Sequence, residues 1–120
     1  MSSAPAILTR LTTLDPSAGY VTTVNTYTVA PEHAERVLDY LVRSAREIVR
    51  YVPGFVSFNF HVSFDRTQIV NYGQWGSREA LAAARENPKI VALMIETAKI
   101  AVSSKPIPYE LHESVHAPSK

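Results

Sequence analysis

The chain contains no cysteine, which excludes disulfides, thiolate zinc sites and a cysteine nucleophile together. A reducing cytoplasm fits that absence, as would a cysteine-free secreted protein. Glycine is scarce, with 4 residues in 120, and no phosphate-cradling loop or dinucleotide fingerprint can be built from them. No apolar run approaches the roughly 20 residues that a membrane helix needs. Met1 to Tyr20 holds a short apolar piece, Ala4 to Leu8, but no basic region before it, so it makes a poor signal peptide. The expectation is a soluble, cytoplasmic protein. Neither sign of charge dominates: 12 Lys and Arg face 11 Asp and Glu, for a formal net charge of +1. That balance gives no electrostatic reason to expect nucleic acid or an anionic membrane as partner. His33, His61, His112 and His116 never pair at a ligand spacing, and no carboxylate cluster accompanies them, so no metal site is expected. No serine sits in a nucleophile elbow. An enzyme built from this chain would have to work without the usual cofactor grips.

What is present fits one domain, since 120 residues and 13.3 kDa support a single modest core. Residues 1–18, rich in Ser, Thr, Ala and Pro, read as a flexible N-terminal arm that lies over a partner. Residues 19–116 form the domain, and residues 117–120 a frayed tail. Val21 to Val29 is β-branched and aromatic throughout and predicts a strand. Pro31 suits the first position of a helix. Ala34, Val37, Leu38, Leu41, Ala45, Ile48 and Val49 then make one apolar stripe. The opposite side carries Arg36, Arg43, Arg46 and Arg50. An anion-binding groove is one reading, but Glu32, Asp39 and Glu47 share the sector. Glu32–Arg36 and Asp39–Arg43 are four apart in the favoured direction, so a solvated, salt-bridged face is the better reading.

Pro53-Gly54 breaks the chain. Phe55 to Ser63 predicts a second strand, Phe64 to Thr67 a turn around Asp65-Arg66, and Gln68 to Trp75 a third strand. Ser77 caps a helix from about Arg78 to Glu86, Asn87-Pro88 interrupts it, and a second helical stretch runs from Lys89 to about Val102. Ile107 to Val115 predicts a last strand, with Pro108 at an edge. The order β-α-β-β-α-β is the split βαβ, or ferredoxin-like, α+β unit, with the first and third strands as central neighbours. Helices cover one face only. With Tyr, Phe and Val spread through the strands, a second copy of the sheet is the expected lid, giving a homodimeric α+β barrel.

The polar residues of the central strands stand out. Asn71 and Trp75 lie four apart on one strand and project from the same face, while Asn25 sits mid-way along the strand predicted beside it. Asparagine is disfavoured in strands, and an unpartnered buried amide costs about 1–3 kcal/mol. In one reading both amides bridge backbone gaps and Trp75 anchors the core. In the other, sheet and helices enclose a pocket for a flat, oxygen-rich aromatic ligand, with Trp75 as π-face and the amides bonding its oxygens.

The stretches VNTYTV, VPGFVSFNFHVSFDRT and IVNYGQW, followed by the Ser-capped helix, resemble the antibiotic-biosynthesis-monooxygenase family from about Tyr20 to Val115. Within it they are most similar to the cofactor-independent anthrone oxygenases that tailor aromatic polyketides. The resemblance implies the pocket reading, with Asn25, Asn71 and Trp75 as catalytic residues. It implies a small aromatic substrate and O₂ as partners, no cofactor, and a quinone as product. Phe58, Phe60, His61, Tyr72 and Leu81 are the candidates for contacting the substrate. His61 matches a histidine of some members, yet a two- or four-residue turn at Asp65-Arg66 would put it on the face opposite Asn71 unless a bulge intervenes. Leu81 departs from members that carry a tyrosine there. That keeps open a non-enzymatic ligand-binding or stress-related barrel, and a polyketide cyclase or isomerase using the same donors. Haem degradation, which related barrels perform, requires a histidine on the helix after the tryptophan, and Ala80 to Asn87 contains none.

Overall fold

The computed structural model describes residues 11–119. The elements run β1 (Val21–Thr28), α1 (Ala34–Glu47), β2 (Phe55–Val62), β3 (Gln68–Trp75), α2 (Arg78–Glu86), α3 (Pro88–Ala98), β4 (Val102–Ser103) and β5 (Ile107–Glu110). All strand pairs are antiparallel, in the order β2-β3-β1, and β4 and β5 both pair with the free side of β1. This is the ferredoxin-like α+β arrangement expected from the element order.

Boundaries differ where a local signal was ambiguous. Pro31–His33 forms a 3-10 turn, and the α-helix starts only at Ala34. Helix α3 stops at Ala98 because the amides of Lys99, Ile100 and Ala101 turn back onto the carbonyls of Glu96 and Thr97. That frees Val102, predicted as the end of the helix, to pair with β1 together with Ser103. The last strand ends at Glu110 rather than Val115.

Two devices shape the sheet. Gly54, at φ 82°, adopts a left-handed turn that L-residues avoid, and its carbonyl accepts from the Gly76 amide at 2.7 Å. This ties the entry of β2 to the exit of β3. A register shift between Phe55 and Ser57 leaves Val56 as the extra residue of a bulge. Without it, alternation would send Phe55 and Phe58 to opposite faces. With it, Phe55, Phe58 and Phe60 share the helix-covered face, and Phe55 and Phe58 meet Trp75 edge-on at 5.5 and 6.1 Å.

The core is divided. One cluster comprises Val21, Val49, Val52, Trp75, Leu81 and Ala84, with Ile90 and Leu93 of α3 packed against it. The other comprises Tyr27, Val29, Ala34, Val37, Leu41 and Ile69. The apolar stripe of α1 supplies Ala34, Val37 and Leu41, as its spacing predicts, and its arginine side is exposed with Arg43 3.6 Å from Asp39. Helix α3 carries no buried residue, and Met94 and Ile95 remain more than half exposed.

The outer face of the sheet corrects an expectation. The phenylalanines of β2 turn inward, so the outer face carries Thr22, Thr26, Ser57, Asn59 and Gln74 beside Val24, Val70 and Tyr72. Its polar groups pair among themselves: Ser57 Oγ donates to Gln74 Oε1 at 2.8 Å, and Asn59 Nδ2 to the Tyr72 carbonyl at 2.9 Å. The described part of the N-terminal arm lies against its own sheet. Gln74 Nε2 donates to the Thr13 carbonyl at 2.9 Å, and Thr12 Oγ1 donates to Asn59 Oδ1 at 2.7 Å. Residues 1–10 of that arm lie outside the described residues.

Candidate active site

The strands themselves leave the gap. Along its inward face β1 presents Val21, Thr23, Asn25 and Tyr27, and β3 presents Trp75, Gly73, Asn71 and Ile69 opposite them in register. The outer members of each series belong to the two core clusters. The middle members are small or polar, and helix α1 faces them with Ser44 and Ala45. Between the clusters opens a cavity of about 380 Å³, floored by the sheet and walled by α1, α2 and α3. That volume suits a small-molecule ligand.

Asn25 and Asn71 are direct cross-strand partners, so their side chains are neighbours on one face. Asn71 is 2% exposed, and the Oδ1 atoms of both amides are buried without a hydrogen-bond partner. Two adjacent orphans in one domain are a stability cost of about 1–3 kcal/mol each. An amide can turn over and exchange its oxygen and nitrogen. The pair can therefore donate to a ligand oxyanion or accept from a ligand hydroxyl. Phe60 stands opposite Asn71 on the other side, and Gly73 lies between Thr23 and Phe58. A Cβ at Gly73 would come within 2.6 Å of Thr23 Oγ1 and 3.0 Å of Phe58 Cε1. Glycine here lets the Phe58 ring lie across β3.

Tyr27 completes the floor. Burial pushes its phenol above the usual range, and the Asn25 amide beside it offsets part of that. The phenol therefore stays protonated at neutral pH. Neither a carboxylate nor an imidazole lines the cavity, and among the described residues no three His, Asp or Glu side chains gather as a metal site.

Of the sequence candidates, the structure brings Asn25, Asn71, Trp75, Phe58, Phe60 and Leu81 to this one cavity. It does not bring His61 or Tyr72 there. His61 pairs with Val70 and is exposed, and Tyr72 pairs with Val24 and Asn59. Both belong to the outer face, since each is one residue out of step with Asn71. The bulge that could have reversed His61 occurs at the start of β2, before Phe58, so it leaves His61 facing away. Thr23, Tyr27, Arg85 and the α3 wall of Ile90, Leu93, Met94 and Thr97 were missed. The period-two rule applied to Asn25 would have found Thr23 and Tyr27. Nothing local marks the others.

A split βαβ domain with a ligand-sized cavity between one sheet face and its helices, floored by paired amides, has the architecture of a small-molecule site. The model of the antibiotic biosynthesis monooxygenase family matches residues 20–94. The tetracenomycin-F1 monooxygenase of Streptomyces glaucescens is 40% identical over 80 residues, 67% of this chain and 71% of that protein. The crystal structure of the ActVA-Orf6 monooxygenase of Streptomyces coelicolor, bound to nanaomycin D, superposes with a TM-score of 0.72 at 26% identity, covering 88% of this chain and 96% of that one. SnoaB, a cofactor-independent oxygenase of Streptomyces nogalater, superposes with a TM-score of 0.66 at 25% identity, covering 82% and 98%. The chain belongs to the antibiotic biosynthesis monooxygenase family and is, by that membership, a monooxygenase.

Proposed function

We propose that this protein oxidises a polycyclic aromatic substrate of the anthrone or hydroquinone type to a quinone, using O₂ and no cofactor. The observation that carries this reading is the pair of unpartnered amide oxygens, those of Asn25 and Asn71, side by side on the floor of an apolar cavity next to Trp75. The names of the tetracenomycin-F1 and SnoaB relatives point the same way.

The chemistry follows from what the walls hold. The ketone oxygen of an anthrone, hydrogen-bonded by the two amides, becomes an enolate oxygen when the ring CH₂ loses a proton. Fixed donors stabilise that developing charge without reorganising, and each is worth about 10²–10³ in rate. With no carboxylate or imidazole in the cavity, the proton leaves to water. The electron-rich carbanion passes one electron to O₂, and the two radicals combine at carbon as a hydroperoxide. Loss of water then gives the carbonyl: R₂CH₂ and O₂ become R₂C=O and H₂O. The phenylalanines and Trp75 hold the flat ring system and keep bulk water from the anion. The substrate supplies the electrons, and the protein supplies the cage.

A homodimer is part of the proposal. The outer sheet face continues onto the edge strands through Val102, Ile107 and Tyr109, at least half exposed, and a second copy of the same face would cover them.

The deciding experiment follows oxidation of dithranol by absorbance and by oxygen uptake, with wild type beside Asn25→Ala, Asn71→Ala and Trp75→Phe. Metal-free, flavin-free wild type is expected to consume oxygen well above the buffer rate, and the folded variants to lose that rate. Binding of dithranol with oxidation no faster than in buffer would favour a ligand-binding barrel instead.

A further inference from the structure

The cavity is chemically uneven in one respect. Its walls are apolar or neutral except at Arg85, which among the described residues is the one lining residue with a formal charge at neutral pH. Arg85 lies in the last turn of α2, one turn beyond Leu81, so both side chains lie along one helix edge. Leu81 and Ala84 are buried in the Trp75 cluster, whereas Arg85 is exposed at the border of the cavity. It also borders the neighbouring groove of about 790 Å³, which holds Asp15 and Glu110. Every Asp and Glu of the chain lies among the described residues, yet none comes within 4.0 Å of the Arg85 guanidinium: the ion pairs found are Arg43–Asp39, Arg66–Glu35 and Lys99–Glu96. The Asp15 carboxylate is instead taken by the amide and hydroxyl of Ser17.

We propose that Arg85 is a specificity-determining residue that receives a carboxylate carried by the aromatic substrate, while the ring system enters the cavity toward Asn25 and Asn71. This rests on the reading of the cavity as the substrate site. A guanidinium matches a carboxylate through two parallel hydrogen bonds and is always charged. A phenol would be neutral at pH 7 and could accept only weakly, so a carboxylate is the substituent this position favours. The arrangement is a two-point one, with amides for the reacting ketone inside and a cation for the spectator acid at the rim. Binding at the rim would fix which ring carbon faces the amides and so which position is oxidised.

The test uses an anthrone that bears an aromatic carboxylic acid and the methyl ester of the same compound. Trp75 is the one tryptophan of the chain, and its fluorescence reads binding of either probe under argon, where no oxidation occurs. Oxygen uptake reads kcat/KM for each in air. Wild type is expected to bind the acid about tenfold tighter than the ester, as one exposed charge-assisted contact allows. In Arg85→Gln the acid-to-ester ratio should fall to near one, and Arg85→Lys should keep part of it. A wild-type ratio near one, or a ratio that persists in Arg85→Gln, overturns the proposal. Arg85-dependent binding of the acid without oxygen uptake would leave the specificity role standing and sink the oxygenase reading. Turnover of both probes with no preference would do the reverse.

Discussion

At the scale of single residues, the site conflicts with stability, and that conflict is measurable. Asn71 is 2% exposed with an unpartnered oxygen, so Asn71→Leu exchanges an orphan amide for an apolar group. Urea unfolding is expected to show a gain of about 1–2 kcal/mol, while anthrone oxidation falls by about 10²–10³. A loss of stability would mean that the amide is satisfied in solution. Gly73 gives the opposite prediction. Because a Cβ there meets Thr23 Oγ1 and Phe58, Gly73→Ala should cost about 1–3 kcal/mol through forced repacking. Thr23→Ala in the same chain should recover part of that cost by thermal denaturation.

At the scale of elements, the β2–β3 hairpin carries a titratable clasp. The Asp65 carboxylate accepts from the Thr67 amide at 3.0 Å, the Thr67 hydroxyl at 2.7 Å and the Ser63 hydroxyl at 2.8 Å. These bonds, with the Thr67 hydroxyl foremost, hold its pKa below the ordinary 3.8. A depressed carboxylate stabilises the fold above the ordinary value, and that stability is lost as pH falls through the depressed one. Asp65→Asn should therefore lower Tm at neutral pH and flatten the acid limb of a Tm-against-pH curve. An unchanged acid limb would exclude the clasp. This hairpin also explains how legible the chain was. Strong period-two strands and the Pro53-Gly54 and Asp65-Arg66 turns located β1, β2 and β3, and with them the facing of Asn25, Asn71 and Trp75. The same alternation turns His61 and Tyr72 outward, as the structure has them, and their place among the substrate-contact candidates went against that parity. The bulge at Val56 rests on Gly54 and on Phe55 packing against Trp75, neither of which composition encodes. Helix α3 was mis-ended because an apolar run past Ala98 reads equally as helix or as edge strand until β1 is there to pair with it. Arg85 carried no local signal at all, since its isolation from carboxylates is a property of the folded surface.

At the scale of the whole molecule, the outer sheet face predicts assembly. Sedimentation is expected to give a dimer, and Tyr109→Glu, on that face at half exposure, to shift it toward monomer without altering the far-ultraviolet spectrum. A monomeric wild type would mean that the arm from Leu11, already bonded to Asn59 and Gln74, closes the face alone. Alkali tests the interior. The Tyr27 phenol is raised above 10.0 chiefly by burial. Its contribution is whole below that value and is lost as pH rises through the raised one. Tyr27→Phe should flatten the alkaline limb of the stability curve.

The divided core has a consequence for motion. One cluster contains Trp75 with α2 and leans on α3, the other contains α1 with Ile69, and the cavity separates them. A flat ligand seated there touches both and becomes the missing layer between them. In the free protein, amide hydrogen exchange should therefore report two cooperative units, with α2 and α3 opening at a lower free energy than the sheet. With an aromatic ligand bound, the two protection levels should merge, because opening either half then requires releasing the molecule that joins them.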